Sequence, residues 1–105
     1  MILDEVIQLH TSPLAGSGII AILRRIPIEK LTDVAQALLS GGICTLECTF
    51  DPVDPDCEQT LARSLDALSR FEGQLTYGAG TVLSPRQVQI AADHGAKLIV
   101  SPGTD

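Results

Sequence analysis

Three times in 105 residues, an apolar run gives way to a proline-opened amphipathic stripe that glycine then stops. Ile19-Ile20-Ala21-Ile22-Leu23 is the first run, continuous enough for a strand buried on both faces. Pro27 can open a helix, because its missing N–H would be unpaired there in any case. Leu31, Val34, Ala35, Leu38 and Leu39 then share one helical stripe, which Gly41-Gly42 ends. Ile43 to Phe50 reads as a second strand. Asp54 follows as a cap, with Pro55 at the first helical position, and Cys57, Leu61, Ser64, Leu65 and Leu68 line one face before Gly73. Leu75-Thr76-Tyr77 starts a third strand that runs into Gly78-Ala79-Gly80-Thr81-Val82.

Ser84-Pro85-Arg86-Gln87 is the strongest helix start, with a Ser cap, Pro at the first position and Gln at the reciprocal position of a capping box. Val88, Ala91 and Ala92 give that helix its apolar face, and Gly95 stops it. Leu98-Ile99-Val100 makes a fourth strand, ended by Ser101-Pro102-Gly103. Ahead of all this, Leu3, Val6, Ile7 and His10 stand at helical spacing and predict a short helix over residues 2–10. Thr11 to Gly18 reads as a turn-rich connector.

The order α-β-α-β-α-β-α-β implies parallel strands joined by right-handed crossovers. Two α/β architectures fit, a doubly wound open sheet and a segment of a (β/α)8 barrel. A barrel takes eight strands and ~250 residues, so these residues would be somewhat under half of one. One domain at most fits this length.

Glu47 is the lone charge in Ile43-Cys44-Thr45-Leu46-Glu47-Cys48-Thr49-Phe50. Strand side chains alternate, so Cys44, Leu46, Cys48 and Phe50 share an apolar face and Thr45, Glu47 and Thr49 share the other. The second face places an ionisable acid, flanked by hydroxyls, inside a sheet or barrel. Burying an unpaired carboxylate is costly or raises its pKa, so such a residue is paired or functional. A catalytic acid/base role is the favoured reading, with a structural pair or an edge-exposed strand as the other.

Composition narrows the function classes. A net charge of -6, with seven basic residues scattered along the chain, argues against a nucleic-acid surface. No apolar run approaches the ~20 residues a membrane span needs. Met1-Ile2-Leu3-Asp4-Glu5 lacks the basic opening of a signal peptide, so a cytoplasmic protein is expected. Cys44, Cys48 and Cys57 match neither a disulfide framework nor a common zinc spacing and read as buried thiols. No metal site is expected.

Ala21-Ile22-Leu23-Arg24, Gly41-Gly42-Ile43 leading to Leu46-Glu47-Cys48-Thr49-Phe50, Gly78-Ala79-Gly80-Thr81-Val82-Leu83, Gly95-Ala96 and Ser101-Pro102-Gly103 follow one another in order. From about Gly18 to Asp105 the chain resembles the N-terminal half of the 2-keto-3-deoxy-6-phosphogluconate (KDPG) / 4-hydroxy-2-oxoglutarate (KHG) aldolases. The resemblance implies residues 1–105 as the N-terminal portion of one (β/α)8 barrel domain, in a homo-oligomer that is usually a trimer. It implies a class I aldolase that releases pyruvate and an aldehyde from a keto acid substrate through a lysine Schiff base, without metal or organic cofactor. Glu47 matches the general acid/base, and Thr81 the residue that hydrogen-bonds the pyruvyl carboxylate. Arg24 matches an arginine on the anion-binding side, and Pro102 a residue packed near the reacting carbon. Gly80, beside Thr81, would let substrate approach the backbone.

Two departures stand out. Asp51 occupies a position where several members carry arginine, which bears on carboxylate affinity and substrate choice. The family's Schiff-base lysine has no counterpart here. Lys30 lies in the first turns of a helix, and Lys97 precedes Ser101 by four residues, roughly 13 Å from the catalytic end at ~3.3 Å per residue.

Plainer readings stand beside these. Arg24-Arg25 can be solvated charge at a strand end, Thr81 an ordinary β-branched strand residue, Gly78 and Gly80 a turn, and Ser101-Pro102-Gly103 a terminator. His94 suits a helix C-terminus. Rival functions are a non-catalytic, oligomeric half-barrel and a free-standing open sheet that binds an anion near Arg24, Gly78 and Gly80. An unclosed four-stranded barrel is expected to expose Thr45 and Glu47 and to leave two strand edges unpaired, favouring oligomers or aggregates.

Overall fold

The computed structural model describes residues 6–11 and 18–100. Val6–Thr11 forms strand β1, where the spacing of apolar residues predicts a helix. It runs antiparallel to β2 (Ile19–Arg24), with Val6 opposite Arg24 and Thr11 opposite Ile19. Local pattern loses here to a tertiary partner: β2 would otherwise present a row of unpaired N–H and C=O groups. The segment is also rich in β-branched residues (Val6, Ile7, Thr11), which suit a pleated strand. Residues 2–5 of the expected helix and 12–17 of the connector lie outside the described residues.

From β2 onward the expected alternation holds. The elements are α1 (Ile28–Ser40), β3 (Thr45–Thr49), α2 (Cys57–Leu68), a 3-10 turn at Ser69–Phe71, β4 (Thr76–Gly80), α3 (Pro85–Asp93) and β5 (Leu98–Ile99). They build one five-stranded sheet in the order β1-β2-β3-β4-β5, in which β2 to β5 are mutually parallel.

The helix starts differ in detail from the sequence pattern. Ser84 caps α3 as expected, accepting from the Gln87 amide at 3.2 Å, while the Gln87 side chain accepts from the Leu83 amide at 2.7 Å. Pro27 occupies the cap position of α1 rather than its first helical residue. Asp54 lies upstream of the cap of α2, which is Asp56. Its carboxylate accepts instead from the Asp56 amide at 2.8 Å and the Thr60 hydroxyl at 3.3 Å, so it organises the turn that feeds the helix.

Ala21, Leu23, Leu46, Cys48, Phe50, Tyr77 and Ala79 point from the strands toward the helices. Leu31, Ala35, Leu61, Leu65, Leu68 and Ala91 meet them from the helix side. Full burial of each such leucine contributes about 1.5–3 kcal/mol. Only Cys48 of the three thiols is buried, Cys44 and Cys57 being half-buried. The radius of gyration, 12.7 Å, matches the ~13 Å expected of a compact domain this size, so the sheet is not splayed open. Among the described strands two outer edges lack a partner, that of β5 and that of β1, which itself covers the edge of β2.

Candidate active site

Residues in register across parallel strands point the same way, so Ile22, Glu47, Gly78 and Leu98 form one row on the face away from the helices. Arg24, half-buried, lies two residues beyond Ile22 on that face. Thr49 is in register with Gly80 at the same C-terminal end. Glu47 is only 4% exposed and Thr45 3%, against the expectation that an open half-barrel would bare both. Neighbouring strands wall them in, and the glycines of β4 give the glutamate room.

That room is specific. A Cβ built on Gly80 would stand 2.9 Å from Cγ of Glu47 and closer still to its carboxyl group. Glu47 is in register with Gly78, so its side chain leans along β4 by two residues, toward the strand C-termini. A Cβ on Gly78 would stand 2.7 Å from the carbonyl carbon and Cβ of Leu98 and closer still to its carbonyl oxygen, so this glycine lets β5 pack closely. Both glycines lie within β4 rather than in a turn.

The backbone is strained where the strands end. Thr81 follows β4 with φ 56°, and Arg25 follows β2 with φ 57°. A β-branched residue in the left-handed region is an outlier that costs about 1–3 kcal/mol, and such strain collects at functional sites. Thr81 therefore does not continue the strand, as its plainer reading supposed, and it stands half-buried directly after Gly80.

Asp51 is not a lone anion at this end. Its carboxylate meets the Arg25 guanidinium at 3.3 Å and accepts from the Val53 amide at 3.1 Å. Sequence reasoning missed this pair, although both residues directly follow predicted strands. A cavity of about 300 Å³ opens beside it, on the helix side of the sheet and away from Glu47, among Leu23, Leu31, Cys48 and Leu61. There, burial pushes the Cys48 thiol up to about 12, with the adjacent Glu47 charge adding to the effect.

The lysines stand apart from the glutamate. Lys97 precedes β5 at the N-terminal end of the strands, donates its amide to Tyr77 O at 2.8 Å and pairs through Nζ with Glu72 at 3.4 Å. Lys30 is exposed in the first turn of α1. His94 is the C-cap of α3, its Nδ1 2.8 Å from Asp66. Pro102 lies outside the described residues. Among the described residues no group of three or more His, Cys, Asp or Glu is placed to hold a metal ion.

A buried carboxylate that leans toward the C-terminal end of parallel strands, on the sheet face that also carries Arg24, suits proton transfer on a bound anion. Comparison with known proteins points the same way. The 2-dehydro-3-deoxy-phosphogluconate aldolase of Treponema pallidum is 36% identical over 76 residues, covering 72% of this chain and 33% of the relative. A solved structure described as native KDPGal superposes with a TM-score of 0.69 at 30% identity, covering 82% of this chain and 39% of that one. The Legionella pneumophila KDPG aldolase, solved with pyruvate captured as a covalent carbinolamine, superposes with a TM-score of 0.66 at 30% identity, covering 82% of this chain and 39% of that one. The chain thus spans about a third of the length of the curated relatives it matches, and its four parallel strands with their helices form part of a (β/α)8 barrel. Residues 11–105 match the family described as KDPG and KHG aldolase, and the chain belongs to it.

Proposed function

We propose that residues 1–105 are the N-terminal portion of a single barrel domain of a class I aldolase, which cleaves a 2-keto-3-deoxy sugar acid or 4-hydroxy-2-oxoglutarate to pyruvate and an aldehyde. The burial of Glu47 beside Gly80 and Thr81, at the C-terminal end of the parallel strands, carries this reading. Glu47 is the general acid/base, moving protons at the reacting centre while water is kept out. Arg24 and the Thr81 hydroxyl supply fixed donors to the substrate carboxylate, and Pro102 packs beside the reacting carbon. The pairing of Asp51 with Arg25 reduces the repulsion that a free carboxylate at that position would exert on an anionic substrate.

The Schiff-base lysine is neither Lys30 nor Lys97. It comes from polypeptide beyond this chain, which also completes the barrel. By family resemblance the enzyme acts in the cytoplasm as a homo-oligomer, trimeric in the usual case. No described helix is long and apolar enough to cross a membrane.

Reductive trapping tests the proposal. The full-length protein is incubated with pyruvate and borohydride, then weighed intact and peptide-mapped. A reduced pyruvyl adduct on a lysine outside residues 1–105 is the expected result. An adduct on Lys30 or Lys97 would place the site elsewhere. No adduct at all would favour a non-catalytic half-barrel.

A further inference from the structure

We infer that Gly80 is a positioning residue for the Glu47 carboxyl group, holding open the space that group occupies, rather than a contact for substrate. The catalytic meaning of this inference rests on Glu47 being the acid/base. The geometry stands by itself.

Two observations on Gly80 combine. It is not among the residues with positive φ, so its backbone conformation does not itself demand glycine. What a side chain there would meet is the Glu47 carboxyl and Cγ, the latter at 2.9 Å. The strand cannot easily move aside, because the Gly80 carbonyl accepts from the Phe50 amide at 2.9 Å and the Val100 amide bonds Ala79 O at 2.9 Å. The missing methyl group is therefore space used by the acid.

The consequence is one of reach. Glu47 belongs to β3 and is in register with Gly78, yet its carboxyl lies over Gly80, the residue before Thr81. Any Cβ at position 80 pushes the carboxyl back over its own strand and away from Thr81. Gly80 thus sets how far the acid projects toward the carboxylate-binding side of the site.

The test is Gly80→Ala in the full-length protein, with glutamate labelled at 13Cδ and Glu47→Gln used to assign the Glu47 resonance. The Glu47 13Cδ resonance is expected to move relative to the wild-type protein, because the added Cβ displaces the carboxyl group. The value of kcat should fall on the order of a hundredfold with little change in KM. An unmoved Glu47 resonance with a raised KM would mean that Gly80 touches substrate, and would overturn the inference.

Folding supplies an independent arm. If the Cβ meets Glu47, Gly80→Ala lowers Tm in the wild-type background but hardly at all in a Glu47→Ala background. Should Gly80→Ala fail to fold, the double variant is expected to fold. Equal losses in both backgrounds, or failure of both variants to fold, would overturn the inference. Full activity in Glu47→Gln would remove the acid/base reading while leaving this thermal cycle intact.

Discussion

The two ends of the same parallel strands are built on opposite terms. At the N-terminal end the Tyr77 hydroxyl donates to Glu72 at 3.1 Å, Lys97 pairs with the same carboxylate at 3.4 Å, and Gly95 lies beneath the tyrosine ring. Among the described residues the positive φ values at this end fall on glycines, including Gly42, Gly73 and Gly95, to which that conformation is open. At the C-terminal end Thr81 and Arg25 take left-handed conformations without being glycine, and Glu47 is buried across a neighbouring strand. One end satisfies its groups for stability, and the other holds groups at a cost. This division is the one barrel enzymes keep between their bottom and top faces.

The sharpest way to break the comparison is to neutralise the acid. Glu47→Gln in the full-length protein should lower kcat for pyruvate release by about 10²–10⁴ while leaving thermal stability nearly unchanged. A steady-state assay beside a melting curve checks both halves, and a large loss of Tm with normal kcat would make Glu47 a structural residue.

Next in size is alkaline sensitivity at Cys48, one residue away on the opposite face. Its thiol ordinarily ionises near 9.0 and in the fold only at about 12, chiefly through burial and then through the Glu47 charge. Above pH 9 the unfolded chain therefore binds fewer protons than the native one. Stability is full below that point and falls by about 1.4 kcal/mol per pH unit as pH rises toward 12. Urea midpoints at rising pH should show the decline, and Cys48→Ala should flatten most of it. Cys57 and Tyr77, also raised chiefly by burial, add smaller losses of the same sign.

Thr81→Gly should separate the two terms at one residue. Relief of the left-handed strain, less the entropy glycine adds to the unfolded chain, predicts a gain of about 0.5–1 kcal/mol in stability. Loss of the hydroxyl should at the same time raise KM for the keto acid. The smallest effect belongs to the other end: Lys97→Ala removes an exposed ion pair and should cost less than about 0.5 kcal/mol without touching kcat.

Much of this arrangement was legible in the chain. Glu47 is a single charge in an apolar run, and alternation alone puts it and Thr45 on the face opposite Cys48. Ser84, Pro85 and Gln87 announce α3 because capping is local chemistry, complete within four residues. What escaped was whatever depends on a partner distant in sequence. Val6–Thr11 carries a pattern that a helix could use, and only the bare edge of β2 decides for a strand. The contact of Glu47 with Gly80 needs the β3–β4 register, and the Arg25–Asp51 pair needs two strand ends brought side by side. Glycine at 80 was visible, but the reason for it was not.

β1 also makes the two borders of the sheet unequal. Beyond β5 a further parallel strand can join by simple addition, since that border has open hydrogen-bonding groups among the described residues. At β2 the same groups are already spent on an antiparallel neighbour six residues long. An all-parallel ring closed on β2 would need the edge that Val6–Thr11 holds. In the proposed barrel, Val6–Thr11 and the last parallel strand would compete for one edge.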